Sequence, residues 1–145
     1  MRFLLVITSV LIALSGCKPE ATPPQQVADD VANNLSFEIE LISNSQPDRA
    51  VCVELGAEWA TCNRFDIILG ANDNGVMHTN WSLYIHSVRN LLSESSELFE
   101  LEHITGDLYR ITPTEQFNGF AAGEQHRLEI VGEFFELSKY DYIPG

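Results

Sequence analysis

The chain has 145 residues, of which 21 are acidic and 8 basic, and its formal charge is −13. Nucleic acid and anionic lipid are held by clustered Lys and Arg, so this balance argues against them as partners and suits neutral or cationic ligands. The length is that of one domain with room for a real core.

In chain order, Met1-Arg2 is a short basic start, Phe3 to Leu14 is almost wholly apolar, and Leu14-Ser-Gly-Cys17 follows. A charged start, an apolar run of about a dozen residues and a small-residue cleavage site make a secretory signal. A spanning helix would need roughly twenty apolar residues. The LSGC word resembles the bacterial lipobox, in which the peptide is cut before the cysteine and the thiol carries a diacylglycerol. The resemblance implies a lipoprotein signal peptide over residues 1–16, lipidation at Cys17 and attachment to the membrane through it. Lys18 rather than aspartate follows, which in the sorting pattern of Gram-negative lipoproteins points to the outer membrane, in contact with the periplasm. Loss of Arg2 with the signal takes the charge from −13 to −14.

Assigning Cys17 to the lipid leaves two of the three cysteines, Cys52 and Cys62. An even pair in an oxidising compartment reads as a disulfide. A zinc site would want further Cys or His at short spacing, and a redox pair would sit closer together, as in C-x-x-C. Closing the eleven-residue loop stabilises the fold by roughly 2.5–3 kcal/mol in the chain-entropy model.

Residues 17–34 hold three of the six prolines and no aromatic residue, and read as a flexible tether. The folded body is expected over residues 35–145, and it is written in strands. Leu35–Ser43 alternates Phe37, Ile39 and Leu41 with Glu38 and Glu40, the period-2 pattern of a half-buried strand. Arg49–Leu55 places Val51, Val53 and Leu55 on one face, Arg64–Leu69 continues after the second cysteine, and Gly70–Gly75 carries turn chemistry. Asn80–Val88 alternates Trp81, Leu83 and Ile85 with Ser82, Tyr84 and His86. A helical turn is expected near Leu91 to Glu97. Glu97–Ile104 and Asp107–Pro113 flank a tight connection at Thr105-Gly106, and His126–Leu137 makes a long last strand with a bulge at Gly132. About seven short strands separated by turns indicate an all-β fold, a two-sheet antiparallel β-sandwich.

Catalytic words are missing. The sequence contains no G-x-S-x-G elbow, no glycine-rich phosphate loop and no H-E-x-x-H, and no cofactor or metal is implied. The four histidines are scattered, and the Ala71–Gly75 stretch lacks the alternating acids and distal glutamate of a calcium loop. Glu94, Glu97, Glu100 and Glu102 cluster as a pair of glycosidase acids would, yet Glu100 and Glu102 share a face opposite Phe99 and Leu101, as in a solvated sheet. Aromatic side chains offer more, because a sugar's C–H face stacks on Trp or Tyr while its hydroxyls bond polar groups at the rim. By residue type the candidate carbohydrate-binding residues are Trp59, Trp81, Tyr84 and Tyr109. The alternation sends Trp81 toward the core and Tyr84 toward the polar face, while Trp59 reads as either a plug over the sandwich end or a sugar platform.

Longer words then resemble one family. CVELGAEWATCNRFDI, NWSLYIHSVR and HITGDLYRITPTEQFNGFAAGE are similar to the N-terminal domain of bacterial chitobiases, the β-N-acetylhexosaminidases of glycoside hydrolase family 20. The resemblance covers nearly all of 35–145. It implies a sandwich like cellulose-binding domains, a carbohydrate-binding role and pairing of Cys52 with Cys62. In that family a (β/α)₈ barrel follows, with an adjacent Asp-Glu pair assisting the substrate's own acetamido group. No Asp-Glu dipeptide occurs here and the chain, ending YDYIPG, is too short for a barrel of about 250 residues, so no catalytic residue carries over. The expectation is a non-catalytic, lipid-anchored module that binds chitin-type N-acetylglucosamine oligosaccharides, with a hexosaminidase catalytic domain as a candidate partner. The alternative is a fragment of a β-N-acetylhexosaminidase whose N-terminal domain is a structural or docking piece.

Overall fold

A computed structural model describes residues 24–46, 52–53, 61–93 and 96–134. The signal, Cys17 and Trp59 lie outside the described residues. The named elements among the described residues are α1 (Pro24–Asn34), β1 (Leu35–Gln46), β2 (Cys62–Ala71), β3 (Leu83–His86), β4 (Leu91–Ser93), β5 (Phe99–Thr105), β6 (Leu108–Pro113) and β7 (Gln125–Glu133). They form two antiparallel sheets, ordered β1-β2-β7-β4 and β3-β6-β5, and the all-β sandwich expected from the strand pattern is what the chain adopts.

Alternation along the strands builds the core. Phe65, Ile67 and Leu69 of β2 and Leu128 and Ile130 of β7 face Ile85, Phe99, Tyr109 and Ile111 from the other sheet, and all are buried. β2 and β7, the inner strands of their sheet, pair without a break from Cys62↔Glu133 to Gly70↔Gln125. Gly132 is therefore no bulge. It faces Asn63, and a Cβ there would lie 2.7 Å from Asn63 Oδ1. The missing side chain lets Asn63 fold into the sheet end and donate from Nδ2 to the Phe134 carbonyl at 3.0 Å.

Three other local expectations change. The supposed tether carries α1: Pro24 at its first position has no N–H to leave unsatisfied, Val31 packs against the core, and Val27, four residues before it on the same face, is buried. Its C-terminal end is fixed, with Asn34 Nδ2 donating to Asp30 and the Asn34 carbonyl accepting from Asn72 N at 2.9 Å. The Leu91 region is a strand rather than a helical turn, because Leu91 points into the core while Leu92 points the opposite way. In the stretch Arg49–Leu55, Cys52 and Val53 are helical, and the rest lies outside the described residues. The Cys52–Cys62 disulfide is formed and, with Val131 and Leu92, makes a small second core on the outer side of the larger sheet.

Gly132→Ala should cost about 1–3 kcal/mol, the usual penalty of overpacking. Urea denaturation, with the midpoint shifting at constant slope, measures it.

Candidate functional site

The smaller sheet has one face in the core and one in water. Because Tyr109 and Ile111 of β6 turn inward, Arg110 between them must turn outward. Cross-strand register then lines up one residue from each strand, with Tyr84 of β3 and Glu102 of β5 both opposite Arg110. Tyr84 is 54% exposed, so its ring has a face free for a ligand. Arg110 pairs with Glu102 and hydrogen-bonds Tyr84. The Glu102 hydrogen bond first, then that of Tyr84, holds the guanidinium pKa above its ordinary value. Arg110 Nε is shielded from water and has no partner among the described residues. Thr112 and Glu100 pair in the next rung, and Leu108 and His86 occupy the one on the other side.

This row combines groups of complementary chemistry. A phenol ring can stack on an apolar sugar face, the guanidinium donates and the carboxylate accepts, and each side chain is held by its neighbour before a ligand arrives. Among the described residues no three His, Cys, Asp or Glu come together to hold a metal. Three histidines instead face one carboxylate each: His78 with Asp30 at 3.4 Å, His86 with Asp107 at 3.5 Å and His126 with Glu124 at 2.9 Å.

Of the aromatic candidates, the structure leaves Tyr84 on the surface and buries the rings of two. Trp81 is 7% exposed and packs beside Phe99 and edge-on to Phe117, with ring centroids 6.2 and 5.9 Å away. Tyr109 is 2% exposed, and its hydroxyl accepts from Leu91 N at 3.1 Å, tying β6 to β4 in the other sheet. Neither offers a platform, because the inward side of each strand is already filled. Arg110 was not singled out from the sequence, although the Asp107–Pro113 alternation places it opposite Tyr109 and Ile111. Its pairing with Tyr84 depends on strand neighbours distant in sequence.

The FNGF word is architectural. Phe117 and Phe120 are buried in the core, and Gly119 (φ 97°) lies so close to the next segment that a Cβ would be 2.9 Å from Met77 Cα. The Glu124 carboxylate closes the following turn by accepting from Ala121 N at 2.7 Å.

The family described as "Putative carbohydrate binding domain" matches residues 34–145. An N,N'-diacetylchitobiase of Vibrio harveyi is 36% identical over 146 aligned positions, covering 100% of this chain and 16% of the relative. A beta-hexosaminidase of Vibrio vulnificus is 32% identical over 121, covering 83% of this chain and 14% of the relative. The chain thus spans about a sixth of the length of these relatives.

Tyr109→Phe leaves the buried Leu91 N–H without its acceptor, and should destabilise the fold by about 1–3 kcal/mol. Thermal unfolding checks this, with the surface around Tyr84 unaltered in the folded protein.

Proposed function

This chain belongs to the carbohydrate-binding-domain family, and on that premise we propose that it is a non-catalytic module for chitin-type N-acetylglucosamine oligosaccharides, gripped across Tyr84, Arg110 and Glu102. The observation that carries the reading is the exposed Tyr84 ring beside a fixed Arg110–Glu102 pair on one sheet face. Stacking supplies a sequence-tolerant grip on the sugar ring, and the ion pair reads hydroxyls around it. The relatives' names support an N-acetylhexosamine ligand, since one is an N,N'-diacetylchitobiase and the other a beta-hexosaminidase. In this proposal the lipid on Cys17 anchors the module at the outer membrane, where it concentrates oligosaccharide near the cell.

Tyr84→Ala should weaken binding of N-acetylglucosamine oligosaccharides by about tenfold or more, the loss expected of a central aromatic contact. Its melting temperature should stay close to that of the unaltered protein, because Tyr84 is mostly in solvent. Titration calorimetry and thermal unfolding separate the two effects, and unchanged affinity rejects the platform.

A second reading follows from the 16% coverage of the diacetylchitobiase: the domain is a shoulder for a catalytic domain. Capture of a separate hydrolase, with no retention on chitin, would favour it.

A further inference from the structure

We propose that the groove between α1 and the β1 and β3 edge strands is a second subsite, which receives the acetamido group of an N-acetylglucosamine unit. The inference rests on the oligosaccharide-binding reading and assigns it a site separate from the Tyr84 row.

The groove encloses about 460 Å³, within the roughly 300–1,000 Å³ of small-ligand sites. Val27 and Val31 from α1 face Phe37 and Leu83 across it, and Asn80 and Ser82 supply polar atoms. Among the described residues no charged side chain lines it, which suits a neutral occupant. Phe37 belongs to the inward side of β1, opposite Leu69, yet it remains 39% exposed. An aromatic ring half open to a groove is a surface for the C–H face of a sugar or for a methyl group.

Trp81 decides between an apolar occupant and an amide. It forms part of the groove wall, and its buried indole N–H has no hydrogen-bond partner among the described residues. A hydrocarbon seated here would leave that donor unsatisfied, which is the costly state for a buried polar group. An acetamido group brings a carbonyl oxygen to accept from the indole and a methyl for the apolar wall, while the amide N–H and ring hydroxyls meet Asn80 and Ser82. The nitrogen lies behind the groove surface, so engagement requires the indole to turn toward the ligand. Ser82 and Leu83 line the groove and Tyr84 follows them in the chain. One edge strand therefore connects the two sites.

The test uses the full-length protein, the β-1,4-linked disaccharide of N-acetylglucosamine and, as control, that of glucose. The Trp81 indole N–H resonance, assigned by its disappearance in Trp81→Phe, should move with the first sugar and stay in place with the second. Trp81→Phe should reduce the preference for the acetylated sugar by about 3- to 10-fold, the range of one neutral hydrogen bond. Ala28→Phe, on the exposed surface of α1, should fill the groove and weaken binding by about tenfold or more. Should the acetylated sugar bind the wild type, Ala28→Phe and Trp81→Phe equally, the groove inference is overturned while the Tyr84 reading stands. Equal binding of both disaccharides overturns acetamido recognition. Absence of any binding to wild type overturns both readings.

Discussion

Phe120 joins parts of the chain that are far apart in sequence. Its backbone exchanges hydrogen bonds with Val76 at 2.9 and 2.7 Å, clamping the loop after β2 against the loop before β7. Its ring stacks on Phe99 of β5 at 6.0 Å and meets Phe117 at 4.8 Å and His126 of β7 at 5.6 Å. Loop, both sheets and the aromatic core therefore share one buried side chain. The close approach of Gly119 to Met77 allows the segment to lie so near. Trp81, which shares the core through Phe99 and Phe117, is held by the same packing. β3 and Tyr84 follow directly from Trp81, so the candidate platform is positioned by a core it does not enter.

The larger sheet is covered differently on its two sides. Its inner face meets the smaller sheet, while at one end of its outer face Cys52, Cys62, Val131 and Leu92 form a separate apolar cluster. Further along that outer face Arg127 donates to both Glu40 and Asp66 at 2.6 Å, and its pKa is raised by the hydrogen bond it gives Asp66 and then by the one it gives Glu40. Acidic side chains on this face are thus partly neutralised from β7. The Glu40 pair is exposed and adds little stability, whereas Asp66 is buried and has Arg127 as the partner of its carboxylate.

The Tyr84 row and the groove arise from what packing leaves over. Inward residues of β3 and β6 are committed to the core, so Tyr84 and Arg110 face water by elimination. The groove forms because α1 lies across the open side between β1 and β3 without filling it. Its walls include two positions with small side chains on α1, Ala28 and Ala32, which leave space that bulkier residues would close.

The sequence by itself determined the strand faces, because period-2 alternation in Leu35–Ser43, Asn80–Val88 and Asp107–Pro113 specifies which side chains share a side. It also carried the cysteine pairing, through the even count remaining after Cys17, and the family, through long ordered words. It did not reveal α1, since VADDVANN offers only two apolar residues larger than alanine and its proline-rich start looks like a linker. Nor did it reveal the strand at Leu91, where adjacent leucines serve two different cores. Tertiary structure alone decided that Tyr109 is a tie between sheets and that Tyr84 stands beside Arg110 and Glu102. The physical reason is that alternation is a local property of one strand, whereas register and the layer covering each face depend on residues tens of positions away.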